Sequence, residues 1–190
     1  MCIRDRNRSA LRKQYRAVVS EVYSPPRVAE AARVLAGLNI DPGLSLDITT
    51  CDEFGNPWDF SKRSMRVKAK RRLEEQGPDL LVGSPMCTAH SAWQRINRLR
   101  DYEQYKQKRR KARQHLEFVC ELYAMQMRAG RLFLHEHPEQ ADSWSELCIQ
   151  RMLRKEGVFT VGMDQCQFDQ KDKKGQPIRK PTQWMSNSRD

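Results

Sequence analysis

Two periods of apolar residues alternate along the first half of the chain. Residues 17–23 (AVVSEVY) form a short β-branched run stopped by Ser24-Pro25-Pro26, the pattern of a buried strand entering a turn. Val28, Ala31, Ala32, Leu35 and Leu38 then recur at helical spacing until Gly37 begins to end the helix. Residues 43–49 (GLSLDIT) predict a second strand, and residues 51–60 (CDEFGNPWDF) a loop rich in turn formers. A basic helix over 62–76 leads through Gly77-Pro78 into a third strand, DLLVG, at 79–83. This β-α-β-α-β order predicts an α/β domain with a mostly parallel sheet and helices on both faces.

The second half continues the alternation. Residues 102–128 predict a long helix whose apolar stripe is Leu116, Val119, Cys120, Tyr123 and Met127, while its first half, KQKRRKAR at 106–113, is almost wholly basic. Gly130 ends it, 131–138 (RLFLHEHP) reads as a strand, 143–155 as a helix opened by a Ser143 cap, and 158–163 as a strand. The tail over 165–188 mixes a charged turn, QKDKKGQP, with β-like pieces, and no internal repeat is evident. The domain is placed at 17–188, after a basic leader at 1–16. Its first six residues, MCIRDR, look like translated sequencing adapter, and the missing cap at the far end leads us to expect a fragment truncated at the C-terminus.

A chain of 190 residues has room for one domain of ordinary size. Its 35 Lys and Arg against 24 Asp and Glu leave a net charge of +11, which favours a polyanionic partner, DNA first. No run approaches the ~20 apolar residues of a membrane span and no signal peptide opens the chain, so a soluble intracellular protein of cytoplasm or nucleus is expected. The six cysteines are scattered without a CxxC pair, which predicts reduced thiols rather than a disulfide framework or zinc ribbon.

Parallel α/β sheets carry their chemistry past the carboxyl ends of their strands. After DLLVG comes GSPMCTAHS (83–91), which presents Cys87 at an expected helix start, where a thiolate nucleophile is favoured. This loop resembles the GGPPCQGFS nucleophile loop of cytosine-5 DNA methyltransferases: Gly83, Pro85, Cys87 and Ser91 match in place, whereas Met86 and His90 depart. Glu136 in FLHEHP is similar to the glutamate of that family's glutamate-asparagine-valine motif, although His137-Pro138 differs. The flanking histidines equally suit a satisfied hydrogen-bond cluster or a metal site. Residues 173–182 (KKGQPIRKPT) loosely resemble the family's GxPQxRxR motif, with Gly175, Gln176, Arg179 or Lys180 as counterparts.

The resemblance implies a Rossmann-like methyltransferase fold and S-adenosylmethionine as cofactor. Tyr23 and Ser24 occupy the first turn, Asp47 would accept from the ribose, Trp58 and Asp59 would frame the adenine, and Ser84 and Pro85 would line the other side. Where the family has FxGxG, this chain has Tyr23-Ser24-Pro25-Pro26-Arg27, without a glycine. By the family's chemistry, Cys87 adds to cytosine C6, Glu136 engages N3, and the activated C5 takes the methyl group from a flipped base. Arg95, Arg98, Lys106, Arg109, Arg110 and Lys180 would grip phosphates. The alternative, motivated by the missing glycine turn and the +11 charge, is a catalytically silent nucleic-acid-binding domain of a mobile-element polyprotein; YSPPRV, SLDITTCDEFGNPWDF, DQCQF and RKPTQWMSNS also resemble methyltransferase-like segments of retroelements. Two further readings are an amino-methyltransferase with SPMC as a DPPY-type loop, and a metal-dependent nuclease using Asp47, Glu136 and Asp164 with His135 or His137.

Overall fold

In a computed structural model describing residues 16–35, 37–91 and 94–188, the alternating pattern resolves into strands and helices in the expected order. These are β1 (Ala17–Val22), α1 (Arg27–Val34), β2 (Ile40–Leu46), α2 (Arg63–Gln76), β3 (Leu80–Gly83), α3 (Gln94–Arg100), α4 (Tyr102–Arg128), β4 (Leu132–Pro138), α5 (Leu147–Leu153), β5 (Phe159–Asp164) and β6 (Pro181–Ser186). They build one six-stranded sheet in the order β2-β1-β3-β4-β6-β5. The pairs β1–β2, β1–β3 and β3–β4 are parallel, and β6 lies antiparallel between β4 and β5. The chain returns from β5 to β6 through a hairpin without a crossover helix, which forces that antiparallel pairing.

Side-chain alternation along β1 assigns the two faces. Ser20 donates to Gln76 of α2, while its neighbour Glu21 accepts from the first amides of α1, so the two helices lie on opposite faces. On the α2 face, α4 and α5 complete the cover, and Val22, Leu73, Leu81, Tyr123, Phe133, Ile149 and Met185 are fully buried between the layers. Asp101 caps α4 by accepting from Gln104 N at 2.9 Å. The buried positions of α4 run from Leu116 to Gln126 on more than one stripe, because this half packs on the sheet and against α5 together. Gly83 is the close-approach point: a Cβ there would sit 2.1 Å from Tyr123 Oη and 3.0 Å from Val119 Cγ2.

The other face is covered differently. There α1 packs on β2 and β1, whereas Leu134, Phe159, Val161, Met163 and Trp184 line an open apolar groove of about 440 Å³. Helical cover on that face is therefore confined, among the described residues, to the β1–β2 side.

Several boundaries shift for physical reasons. The helix expected after Cys87 is a three-residue 3-10 turn, Thr88–His90. Ser143 caps no helix: it lies in a 3-10 turn, Asp142–Ser145, with its hydroxyl bonded to His137, and α5 starts only at Leu147. β2 begins at Ile40 and runs through Pro42, which an edge strand tolerates.

An internal repeat that the sequence does not announce also emerges. Cys51–Pro57 and Lys171–Pro177 are closed by equivalent antiparallel bridges over the pattern Asp-x-x-Gly-(Asn/Gln)-Pro. In each, one carboxylate oxygen accepts two backbone N–H groups: Phe54 and Asn56 on Asp52, Lys174 and Gln176 on Asp172. Gly55 (φ 78°) and Gly175 (φ 80°) take the left-handed position, and each donates to the aspartate carbonyl at 3.0 Å. Composition hides the repeat, since only three of the seven positions are identical.

Candidate functional site at the carboxyl ends of the strands

After β1 the chain first turns to β2 and then crosses back to β3, so the topological switch point lies between β1 and β3. Tyr23 and Ser24 follow β1, Asp47 follows β2, and Ser84, Pro85 and Cys87 follow β3. The sheet thus brings these sequence-selected residues to one edge.

At the β1–β2 ends the turn holds its shape without glycine. Tyr23 adopts φ 60°, a left-handed conformation that costs a bulky residue roughly 1–3 kcal/mol. Packing fixes it: the ring meets Phe60 edge-on at 4.9 Å, and the hydroxyl shares a 2.9 Å hydrogen bond with His115 Nδ1. Burial pushes the Tyr23 phenol up and the His115 imidazole down. Ser24 is turned inward on its own turn, donating to Pro25 O at 2.9 Å. Glu21, fully buried, accepts from Val28 N, Ala29 N and Ser45 Oγ, so a protein carboxylate already occupies the first amides of α1.

Asp47 accepts from Thr49 N and Thr49 Oγ1 through Oδ1 alone. Asp59 accepts from Ser61, which holds its carboxyl below the usual carboxylate range. Trp58, expected beside an adenine, is 4% exposed and belongs to the hydrophobic core with Phe60. Its surface is spent on packing, which corrects that assignment.

At the β3–β4 ends a layer of buried polar groups supports the Cys87 loop. His137 Nε2 lies 2.7 Å from Pro85 O and its Nδ1 lies 2.6 Å from Ser143 Oγ. A carbonyl can only accept, so Nε2 carries the proton and Nδ1 accepts from Ser143. His135 Nδ1 shares a 2.9 Å hydrogen bond with Tyr123 Oη, and the two histidine rings lie 4.9 Å apart. The flanking histidines therefore form a hydrogen-bond cluster, and among the described residues no group of three His, Cys, Asp or Glu side chains is placed to hold a metal ion.

His90 is wholly buried with neither ring nitrogen hydrogen-bonded, 3.8 Å from Glu146. Burial, reinforced by the Arg109 charge, pushes its imidazole down to about 4, and burial brings His137 down to about 4 as well. Above this layer Pro85 is buried, Met86 is 64% exposed and Cys87 is half-buried.

Glu136 faces the opposite side of β4 from His135 and His137. It pairs across the strand with Trp184. Its Oε1 is buried without a hydrogen-bond partner, and the nearest cation, Lys180 Nζ, is 3.8 Å away. Arg179 instead bonds Asp164 at 3.1 Å, so of the loose GxPQxRxR match only Lys180 reaches the Glu136 carboxylate.

The basic residues divide the same way. Arg98, Lys106 and Arg110 are exposed on α3 and the first half of α4, whereas the side chain of Arg95 lies outside the described residues. Arg109 departs from the phosphate-gripping expectation. It points inward to Glu146 at 2.5 Å and Asp142 at 3.5 Å, and Arg113 clamps the other Glu146 oxygen at 2.8 Å.

No protein-family model matches this chain, and neither does any curated protein sequence. No described helix is long and apolar enough to cross a membrane.

Sequence reasoning missed Glu21, His90, Tyr123 and Glu146 as members of this edge. Glu21 was visible as a charge inside a β-branched strand, a placement that needs a buried partner. The other three are joined to the loop only by tertiary contact.

Proposed function

We propose that this domain modifies a pyrimidine base of nucleic acid, with Cys87 as the covalent nucleophile, in the manner of the cytosine-5 methyltransferases its loop resembles. The observation that carries the reading is Glu136 Oε1, a buried carboxylate oxygen that accepts no hydrogen bond and meets Lys180 Nζ at 3.8 Å. A buried acceptor without a hydrogen bond is costly, and a ring N–H or exocyclic amine of a bound base would satisfy it. β3, which leads into Cys87, is the strand beside β4, and Gly83 pairs with His135, the residue before Glu136. A base lying across these two strand ends would meet the thiol at C6 and the carboxyl at N3. Addition of the Cys87 sulfur to C6 moves the C5–C6 electron pair to C5, which bonds an electrophile; loss of the C5 proton then re-forms the double bond as the sulfur departs as thiolate.

The residues present fit S-adenosylmethionine in part. Its nucleoside end finds acceptors in Asp47 Oδ2, which takes no bond from the described residues, and in Asp59. Its methionine end finds Pro25 and Pro26, which have no N–H, and α1 amides that already bond Glu21. When bound, the cofactor would supply the electrophile as a methyl group.

That turn is also the specific observation favouring a second reading, a nucleic-acid-binding domain that has lost catalysis. Tritiated methyl transfer to duplex DNA, with Cys87→Ser as control, separates the two. Signal from the native chain that the variant lacks supports the first; equal signal removes Cys87 as nucleophile. DNA binding without calorimetric binding of S-adenosylmethionine leaves the second.

A further inference from the structure

The duplicated hairpins stand at opposite ends of one sheet edge. Residues 51–57 follow β2 and residues 171–177 follow β5, the two outermost strands, which run in the same direction. Five inter-strand gaps of about 4.8 Å put their roots about 24 Å apart. The strand ends that carry Cys87 and Glu136 lie between them.

The first finger carries an exposed aromatic ring, and another stands in the 3-10 turn just before the second. Phe54, at the tip of the first, is 79% exposed, and its ring is steadied by Lys68 Nζ at 4.8 Å from the centroid. Lys68 is in turn held by Asp52 at 2.7 Å and Glu53 at 3.0 Å. With Arg63, Val67 and Arg71 of α2, Phe54 borders an open groove of about 690 Å³. Phe168, at the root of the second finger, is 67% exposed, and the finger adds Lys173 and Lys174, which form no ion pair among the described residues. Because the Asp52 and Asp172 turns are closed by their own hydrogen bonds, neither finger needs a ligand to take shape. The hairpin backbone under Phe54, Lys173 and Lys174 is thus set before binding, which lowers the ordering cost.

We infer that the two fingers are a clamp for unpaired nucleic acid: bases stack on Phe54 and Phe168, and phosphates lie on Arg63, Arg71, Lys173 and Lys174. Exposed rings interleaved with cations suit a single strand, whose bases offer π-faces, better than a duplex, whose bases are stacked on one another. The inference takes from the proposed function only that the partner is nucleic acid.

The test is fluorescence anisotropy of the full chain with a fluorescein-labelled mixed-sequence oligonucleotide, single-stranded or annealed to its complement, without methyl donor. The native chain is expected to bind the single strand more tightly. Phe54→Ala and Phe168→Ala should each weaken it about fivefold or more, and Lys173→Glu with Lys174→Glu should flatten the salt dependence. Both rings are exposed, so circular dichroism of the variants should match the native spectrum. Single-strand affinity unchanged within about twofold in the Phe54→Ala/Phe168→Ala double variant overturns the clamp, as does tighter binding of the duplex. Loss of affinity in the double variant, with no methyl transfer by the native chain, keeps the clamp and removes the catalytic reading.

Discussion

Under the β3–β4 ends, the loop before Cys87 rests on His137, which is itself held by Ser143, and beside it Glu146 is gripped by two arginines. At the β1–β2 ends, the turn after Glu21 is held by one ring in a strained conformation and by two prolines that offer no N–H. The first region is held by buried polar contacts, although His90 and His135 Nε2 make no hydrogen bond. The second makes a tight turn after β1 without a glycine, with Tyr23 at φ 60°. The contrast is one of means: side-chain hydrogen bonds and ion pairs from separate elements support the Cys87 loop, whereas the turn after β1 relies on Tyr23 packing and on Glu21 beneath it.

The sharpest way to break this comparison is Glu146→Ala. The carboxylate is 6% exposed and joins α4 to the turn before α5, and its removal leaves the inward Arg109 charge with only Asp142. Breaking such a buried pair costs about 3–5 kcal/mol, and Asp142 should hold the loss near the lower figure. Urea unfolding reads it directly. A loss below about 1 kcal/mol would mean the β3–β4 layer is no more firmly held than an ordinary surface pair.

What the sequence disclosed and what it hid divide along the same line. The succession of strands and helices along the chain, the long α4 and the Cys87 and Asp47 strand ends were legible because they follow from apolar period and turn residues close together in the chain; the place of β6 between β4 and β5 was not. The Arg109–Glu146 pair was not, because 37 residues separate its members and KQKRRKAR looks like a solvated basic face. Trp58 was misplaced since nothing local distinguishes a stacking tryptophan from a core one. Ser143 looked like a helix cap because the alternative partner, His137, is on another element. The repeated hairpin was hidden by side-chain composition, although the aspartate, glycine and proline that shape it were all in view.

A second prediction concerns acid. His90 and His137 take up protons in the unfolded chain near pH 6.5, but in the folded state only near pH 4. Between those values the unfolded chain binds more protons, so stability is complete above about pH 6.5 and falls as the pH is lowered. His135, driven well below its ordinary value by burial, acts in the same direction. The melting temperature should drop by about 5–10 °C between pH 7 and pH 5. A melting temperature flat over that range would show that these rings are already protonated in the fold, or are reached by water.

The smallest effect on stability is expected at the other region. Asp47→Asn keeps a carbonyl oxygen to accept from Thr49, so unfolding free energy should change by less than about 0.5 kcal/mol. Binding is another matter, because no described residue donates to Asp47 Oδ2. If it holds a ribose, loss of the charge should weaken nucleoside binding about tenfold, measured by calorimetric titration with adenosine and with S-adenosylmethionine. Adenosine binding that Asp47→Asn weakens, without binding of S-adenosylmethionine, would place the failure at the proline turn and not at the ribose. Unchanged affinity for both would leave Asp47 as the closing residue of a turn, and the contrast between the two regions would then lie between a supported loop and an edge with no ligand of its own.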